Sequence, residues 1–413
     1  MFFAVIFLMQ IDTISLQEAI DIALNRSPTY LESQATLAKT KIQFLRALSY
    51  LLPTNSTTGS WTESEYQKIQ STYYAGSINF TFPLFDLDVI SAIFTAHGQK
   101  QGATIKYQQD VGNLVLNIKK AYYNIITANE LVKAADKAML RALENKKLAE
   151  IKYKLGSASR LELLQAEVFY FQTLQNNSRA KAFEAQAQQE LKALLNIDRD
   201  IYPTDTFVTP DTFVLPDLDS LKKLLQTVNW NIRLAKQMYN LSRTNLWFAI
   251  LAFLPKISLF YGYNTKVDSF SLDFDYLERN TTKNYGVNIS FPIFEIKSLI
   301  FNYLEAKKDL QIKKFNLEKT TLESEKALLT SYYGFQEAID KLRFSRKSLE
   351  VASEASAIAY EQYNLGVISF LDLLKTEEDY YNARVNYLQA LNDYYLQQAN
   401  FSYLLGMITL GAQ

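Results

Sequence analysis

The hydrophobic positions along this chain follow two different periods. Over most of its length, apolar residues recur at steps of three and four, the 3.5-residue period of helices that pack as coiled coils. Two such seams run over 114–139 and 328–352, and the second alternates large with small residues. No proline interrupts 86–155 or 295–365. The pattern therefore predicts two helices of about 70 residues, each about 105 Å long at a rise of about 1.5 Å per residue.

Two shorter regions alternate apolar and polar residues, which is the pattern of a β-strand with one apolar face. In the second half of the chain the apolar positions are Ile257, Leu259, Tyr261, Tyr263, Tyr285, Val287, Ile289 and Phe291. In the first half Ile78, Phe80 and Phe82 alternate in the same way, although the stretch before them, 55–61, is far more polar. Each half is therefore predicted to contribute one β-hairpin, at about 54–83 and about 256–292.

Prolines bracket both predicted hairpins. Pro53 and Pro255 each follow a leucine at the end of a helical pattern, whereas Pro83 and Pro292 each lie in a Phe-Pro-x-Phe sequence after a second strand. We expect these four prolines to mark the junctions between strands and helices, because proline interrupts regular backbone hydrogen bonding. Pro28 is expected inside the first helix, at about its third turn.

The chain is a tandem duplication with an offset of 210 residues. The sequence Tyr-Lys-Leu-Gly at 153–156 recurs as Tyr-Asn-Leu-Gly at 363–366, and 16 of the 55 residues in 121–175 are identical 210 positions later. We assign the first repeat to 12–197 and the second to 220–406, each with the order helix, β-hairpin, long helix, tight turn and helix. A proline-rich linker, 198–219, joins them, and 407–413 forms a tail.

The tight turn of each repeat carries signals that end one helix and start the next. Gly156 and Gly366 fit the left-handed position that closes a helix. A capping box, made of a serine and an acid three residues later, opens each return helix. Its members are Ser159 with Glu162 and Ser369 with Asp372. The return helices are predicted over about 161–196 and 371–405.

Composition excludes several classes of function. The charges of the 43 basic and 43 acidic residues cancel, so the chain lacks the net positive charge that is typical of nucleic-acid-binding proteins. Cysteine is absent, which excludes disulfides, thiolate metal sites and cysteine nucleophiles. The single histidine, His97, has no partner at metal-binding spacing, and no phosphate-binding glycine loop occurs. We therefore predict a protein that is not an enzyme and that uses no cofactor or metal.

Nine apolar residues begin the chain, which is too few to span a bilayer as a helix. We interpret 1–11 as the remnant of a secretory signal peptide or a disordered segment, and a plain buried segment is the alternative. No other apolar stretch reaches membrane-spanning length. If the protein crosses a membrane, it is therefore expected to do so without helices.

Four alternating strands cannot close a barrel by themselves, since the smallest outer-membrane barrels have about eight strands. An open sheet edge in lipid leaves backbone groups unsatisfied, at a cost of several kcal/mol each. Either the hairpins pack against soluble partners, or several chains pool their strands into one closed barrel. The second alternative also gives the heptad seams neighbours on both sides, and so we infer a symmetric cyclic oligomer.

In this order, and repeated twice, the motifs resemble those of TolC-type outer-membrane channels of efflux and type I secretion systems. The matching features are the opening helix at 16–24 with Asn25 and Pro28, Leu-Pro before each first strand, Phe-Pro-x-Phe after each second strand, and the Leu-Gly-x-x-Ser turns. The resemblance covers almost the whole chain. It implies a mainly α fold with a small transmembrane β part, in which three chains share an α-helical barrel and a 12-stranded β-barrel.

The resemblance also implies a location and partners. The β-barrel would lie in the bacterial outer membrane and the helical part in the periplasm, where its tips would dock onto a periplasmic adaptor and, through it, an inner-membrane pump. The chain would then be a passive exit duct for small molecules or proteins. A periplasmic or surface coiled-coil scaffold with no pore is the alternative from another class. The cargo is not encoded in any pattern that we identify.

A periplasmic gate at the repeated turns is a further implication of the resemblance. It places Asp372 at the closed entrance and pairs Tyr363 with an acid of the first turn, here Glu162. Two residues depart from the family pattern, since Lys375 replaces an aspartate and Ile368 replaces an arginine. In a trimer, Glu162 and Asp372 would supply up to six carboxylates, a ring that favours cations and resists closure unless it is paired. The simpler alternative is that each acid only completes its capping box.

The same turns are the predicted contact with the adaptor. The docking residues are Leu155, Gly156, Ser157, Ser159, Leu365, Gly366, Val367, Ile368 and Ser369. Val367 and Ile368 favour docking over simple turn geometry, because exposed apolar residues at a loop tip indicate a partner. Near the strand ends, four phenylalanines are interpreted either as an interfacial girdle or as core residues. These are Phe82, Phe85, Phe291 and Phe294.

Overall fold

The computed structural model describes residues 12–66, 69–208, 215–269, 273–292 and 296–407. The apolar run at 1–11, Phe294, Pro210 of the linker and most of the tail lie outside the described residues. Among the helices that are described, none combines the length and the apolar character needed to cross a membrane.

The chain is mainly helical with a small β part, as predicted. The elements before residue 204 are β1 (Asp12–Ile14), α1 (Leu16–Arg26), α2 (Pro28–Ser49), β2 (Thr54–Tyr66), β3 (Ile69–Phe85), α3 (Leu87–Lys154), α4 (Arg160–Leu195) and β4 (Ile201–Pro203). Those after it are α5 (Leu218–Val228), α6 (Trp230–Leu251), β5 (Lys256–Val267), α7 (Phe274–Arg279), β6 (Thr281–Ser290), α8 (Ile296–Asn364) and α9 (Phe370–Leu404). The long helices α3 and α8 contain 68 and 69 residues.

The first helix is interrupted at Pro28, so the prediction of one helix through this residue is wrong. Helix α1 ends at Arg26, and Ser27 is extended, with φ −64° and ψ 124°. Proline pushes the residue before it out of the helical region and is itself well suited to the first helical position, where Pro28 starts α2. The second repeat breaks in the same way without a proline. There Asn229 is extended between α5 and α6, and its side chain donates to the Leu404 carbonyl at 3.0 Å.

Two compact units can be distinguished, and each draws on both repeats. One contains Gln108–Trp230 with the chain before Gln34 and after Thr321, and the other contains Gln34–Tyr107 and Asn231–Thr321. In the first unit, β1 and β4 form a parallel ladder that sequence reasoning missed, because it assigned 198–219 to a linker. The Tyr122 hydroxyl donates to the Ile14 carbonyl at 2.9 Å and to the Asp205 carboxylate at 2.8 Å. Burial and this carboxylate raise the pKa of Tyr122.

The second unit contains a four-stranded antiparallel sheet in the order β2-β3-β5-β6. Its register brings Phe80, Tyr261 and Tyr285 into one row and Asn79, Gly262 and Asn284 into the next. Side chains alternate across a strand, so these rows lie on opposite faces, and the sheet has one apolar and one small or polar face. Strand β3 continues through Pro83 to Phe85 across a register shift, beyond the predicted end of the hairpin.

Candidate gate and docking site at the helical turns

The two repeated turns have the same backbone geometry. Gly156 has a φ of +73° and Gly366 a φ of +75°, the left-handed conformation that glycine adopts without strain. Each glycine donates its N–H to the carbonyl of the tyrosine three residues earlier, at 3.0 Å. Among the residues that the structure describes, no atom lies within 4 Å of a Cβ added at either glycine, so only the backbone conformation requires glycine here. Each of these bonds satisfies one carbonyl in the last turn of α3 or α8 and so helps to close the helix.

Both predicted capping boxes are present. In the first turn, the Ser159 N–H donates to the Glu162 carboxylate at 3.1 Å, and the Glu162 N–H donates to the Ser159 hydroxyl at 3.2 Å. In the second turn both corresponding distances between Ser369 and Asp372 are 3.2 Å. The Ser369 hydroxyl also donates to the Asp372 carboxylate at 2.6 Å. Each acid therefore orders the first turn of its return helix, whatever else it does.

The two acids differ in their exposure and in their neighbours. Asp372 is exposed and Glu162 is half-buried. Lys375, which lies one turn after Asp372, forms ion pairs with Asp379 at 3.0 Å and with Glu378 at 3.6 Å. The hydrogen bond to Asp379 and the negative charges of Asp379 and Glu378 raise the pKa of Lys375. In this chain Lys375 is thus paired along its own helix, with acids that follow it rather than with Asp372.

Tyr363 and Glu162, which the resemblance pairs as a latch, are not hydrogen-bonded in the described chain. The Tyr363 hydroxyl accepts a hydrogen bond from the Lys152 ammonium at 3.2 Å, and this ammonium lies 4.2 Å from the centroid of the Tyr363 ring. The Phe370 ring packs on Tyr363 with the centroids 5.4 Å apart. The expectation therefore needs correction, because the Glu162 carboxylate is taken up by its own cap and Tyr363 meets a cation of α3 instead.

Only some of the predicted docking residues are exposed apolar side chains. Leu155, Leu365 and Val367 are 76%, 79% and 68% exposed, which is high for leucine and valine. Ile368 is half-buried and packs against a core cluster, so the expectation that it is exposed at the tip is wrong. The isoleucine packs against the same cluster as Phe370, which is 2% exposed.

The core cluster behind the turns joins four helices. Its buried members are Ala149, Ala166, Ala359, Phe370, Leu373 and Leu374, from α3, α4, α8 and α9. Alanines at the repeat-equivalent positions 149 and 359 leave room for these helices to approach one another closely. The two turns are therefore supported by one shared apolar core rather than by two separate ones.

Sequence reasoning missed a buried ionic group behind this cluster. The Arg141 guanidinium of α3 donates to both oxygens of the Glu377 carboxylate of α9, at 3.1 and 3.3 Å. The Ser356 hydroxyl of α8 donates to the same carboxylate at 2.9 Å. Glu377 is only 8% exposed. The duplication could have pointed to this site. Glu167 and Glu377 are identical at an offset of 210, whereas the two residues on either side of each glutamate differ between the repeats.

The four junction prolines lie at or near the ends of strands. Pro53 and Pro255 immediately precede β2 and β5, and Pro292 follows β6. Pro83 is the exception, because it lies within β3 at the register shift opposite β5. Of the described aromatic residues near these ends, Phe82 and Phe291 are exposed and Phe85 is half-buried. His97, the lone histidine, is exposed against the Phe44 ring, with the ring centroids 5.5 Å apart.

Two long helices, each joined by a tight turn to a return helix, and an antiparallel sheet with one apolar face are the features expected of an outer-membrane exit duct. The family model of the outer membrane efflux proteins matches residues 19–196 and 220–407, and the chain belongs to this family. The members of this family are channel proteins. The prediction of a TolC-type duct in the outer membrane is thereby confirmed, and the scaffold without a pore is not supported.

The chain is similar over most of its length to several characterised relatives. It is 24% identical to the outer membrane protein TolC of Vibrio cholerae, over 87% of this chain and 83% of the relative. It is 19% identical to the alkaline protease secretion protein AprF of Pseudomonas aeruginosa, over 81% of this chain and 70% of the relative.

Solved structures of outer-membrane channels share the fold. CusC superimposes with a TM-score of 0.83 at 18% identity, over 96% of this chain and 93% of that chain. The open state of the MtrE outer membrane channel of Neisseria gonorrhoeae superimposes with a TM-score of 0.80 at 20% identity, over 95% of this chain and 88% of that chain.

Proposed function

We propose that three copies of this chain form one passive duct with a 12-stranded β-barrel. The observation that carries the proposal is the sheet itself, in which the described residues of β2 and β6 pair on one side only. Two chains would give about eight strands, and a barrel of that size is filled by its own side chains. Three chains of four strands satisfy both edges and leave an open lumen.

Exposed apolar residues along α8 support a neighbouring chain in the same ring. Those that are 47% to 69% exposed include Leu322, Tyr333, Phe344, Val351 and Ile358. They are spaced by 11, 11, 7 and 7 residues, and both spacings return to the same face of a helix. A large apolar stripe on a soluble part of a protein indicates a partner surface, and a second copy of the chain would cover it.

The turns would form the periplasmic mouth of this duct. Glu162 and Asp372 from three chains would place up to six carboxylates around the entrance, and each of them already accepts hydrogen bonds from its serine cap. Like charges at a narrow constriction repel one another, so the ring favours cations and raises the free energy of the closed state. Exposed Leu155, Leu365 and Val367 would contact a periplasmic adaptor, and an inner-membrane pump would supply the energy. The chain itself would catalyse no reaction.

The number of chains is tested by the mass of the purified protein in detergent, measured by native mass spectrometry. A mass three times that of the 47.4 kDa chain is expected. A monomer or a dimer would overturn the proposed barrel.

The gate is tested by single-channel recordings in planar bilayers. Asp372→Asn removes the charge but keeps an oxygen for the Ser369 N–H, and we expect longer openings and weaker selectivity for cations than in the wild type. Ser369→Ala is the matched control, because it weakens the cap and leaves the charge. Traces of Asp372→Asn that match the wild type would remove Asp372 from the gate.

Docking is tested with the purified adaptor of the same organism. Val367→Asp places a charge on the 68% exposed tip valine, and we expect at least about a tenfold loss of affinity, the effect of about 1.4 kcal/mol. Val208→Asp is the control, since this valine is 71% exposed but lies outside the turns. Equal affinity of both variants would exclude Val367 from the contact.

A further inference from the structure

A shallow trough crosses the apolar face of the four-stranded sheet. Its floor is one row of the register, to which each strand contributes a residue with a small side chain or none: Gly59, Gly76, Thr265 and Thr281. Alternate residues of a strand point to the same face, so the next rows on this face lie two residues away on either side. The two glycines therefore leave a gap between rows of larger side chains.

The two rows beside the floor form the walls of the trough. Trp61, Tyr74 and Val267 share the row on one side, and Ile78 and Tyr263 lie in the row on the other side. Trp61 is 61% exposed and Ile78 43%, so both walls are open to the surroundings of the sheet. Walls and floor line a cavity of about 760 Å³, which lies in the range of about 300 to 1,000 Å³ that is usual for ligand sites.

The hydroxyl groups of the floor are bonded within the protein. The Thr281 hydroxyl donates to the Leu277 carbonyl at 2.7 Å, and the hydroxyl oxygens of Thr265 and Thr281 are 2.6 Å apart. A hydroxyl has one proton, so Thr265 is the donor between the two threonines. Both protons are thus used, and a ligand on this floor does not have to satisfy a hydroxyl donor. An apolar ligand is therefore favoured.

The short helix α7 closes one end of the trough. Leu277 of this helix is half-buried and lines the cavity beside Thr281, the first residue of β6. At the same end, Val267 is the last residue of β5 and is only 6% exposed. This is the end at which β5 and β6 are connected to each other, rather than the end that leads to α6 and α8. In the proposed duct it faces the exterior, so the closed end lies towards the outer leaflet.

The charged groups at the closed end do not share one sign. Asp273, Asp275, Glu278 and Arg279 lie in α7 or at its start, and Lys283 follows in β6. The Arg279 side chain also donates to the Asp275 carbonyl, at 3.1 Å. Three acids beside two bases favour neither an anionic nor a cationic head group. Recognition at this site therefore depends on the apolar walls.

We infer that the trough binds an acyl chain of an outer-leaflet lipid, one in each chain of the assembled duct. The inference rests on the proposed barrel, in which the apolar face of the sheet meets the hydrocarbon of the bilayer. A trough contacts a lipid tail on three sides, whereas a flat apolar wall contacts it on one, and the added dispersion contacts offset the entropy lost when the tail is held. Such a site differs from general contact with lipid because it saturates at one ligand per chain.

The site is tested by native mass spectrometry of the purified trimer during titration with a lipid. Phosphatidylglycerol and phosphatidylcholine with the same palmitoyl and oleoyl chains are used separately. We expect three retained molecules per trimer and equal affinity for the two lipids, because the trough contacts the tail rather than the head group.

A pair of adjacent residues supplies the variant and its control. Gly59→Leu fills the floor, and no described atom lies within 4 Å of a Cβ added there, so the side chain can be accommodated. We expect at least about a tenfold loss of affinity. Ser60→Leu is the matched control, because Ser60 is also exposed but points to the opposite face, and we expect wild-type affinity. Gly76→Leu fills the floor from the next strand and repeats the test should Gly59→Leu not assemble.

Several results would overturn the site. These are equal affinity of a floor variant and the wild type, retention that does not saturate at three lipids, and retention of phosphatidylglycerol alone, which would indicate recognition of charge. A wild-type trimer that retains no lipid would also overturn it, and would indicate that the neighbouring chain, which reaches Gly59 at the edge strand β2, fills the trough. A wild-type protein that forms no trimer would instead overturn the proposed function.

Discussion

The two turns of the duplication have the same backbone, but their side chains have different surroundings. Each has a glycine at positive φ and a serine capping box. Behind the first turn, Arg160 is exposed and Leu164 is 46% exposed, whereas their counterparts Phe370 and Leu374 are 2% and 5% exposed.

The reason for the difference is physical. A turn between antiparallel helices needs a left-handed residue and a cap wherever it occurs, so these positions have little freedom to change. The residues that follow respond to what packs on them. In this protein the second hairpin became the buried partner in the shared core, and the first remained more exposed to solvent.

The largest effect should come from the residue pair with the greatest difference in burial. Phe370→Ala should lower the local free energy of unfolding by about 3 to 5 kcal/mol, whereas Arg160→Ala should change it by less than about 0.5 kcal/mol. Hydrogen exchange of peptides from the two turns, followed by mass spectrometry, measures these local values. Equal effects of the two substitutions would contradict the asymmetry of the turns.

A smaller difference is expected one turn further along the return helices. Leu374→Ala removes a buried side chain and should cost about 2 to 3 kcal/mol, whereas Leu164→Ala removes a half-exposed one and should cost about 1 kcal/mol or less. The same exchange measurement applies. If Leu164→Ala were the more damaging, the first hairpin would have to be covered by a neighbour at this position in the assembled protein.

Substitution of the two glycines tests the left-handed backbone conformation that both turns share. Gly156→Ala and Gly366→Ala should each cost about 1 to 2 kcal/mol, because alanine is strained at positive φ and nothing else obstructs its Cβ. Both values should agree within about 0.5 kcal/mol by the same measurement. A clearly larger cost at one glycine would show that its turn carries an additional constraint.

The smallest effect is expected at the caps. Ser159→Ala and Ser369→Ala should each cost about 1 kcal/mol, since each removes the hydroxyl that accepts the N–H of the third residue of a return helix. Circular dichroism during thermal unfolding, compared between the two variants, checks this. A negligible cost in both would mean that the acids alone hold the helix ends.

The elements that are fixed by residues close together in the sequence could be predicted from the sequence alone. The long helices, the glycine turns and the capping boxes follow from residues within about one helical turn of one another. The break at Pro28 follows from the same local rules, because proline pushes the residue before it out of the helical region. The corresponding break at Asn229 could not be predicted from the sequence. No proline marks it, and the Asn229 side chain donates to the carbonyl of Leu404, 175 residues away.

The sequence by itself determined the duplication, the length of the helices, the geometry of the turns and the alternation of the strand faces. Only the tertiary structure decided that Ile368 packs inward, that Tyr363 meets Lys152 rather than Glu162, and that the cation of Glu377 comes from the other hairpin. The physical reason is the range of the interactions. The backbone conformation of the turns and caps is set within a few residues, whereas the contacts of Tyr363 and Glu377 depend on residues that are more than 200 positions away in the chain.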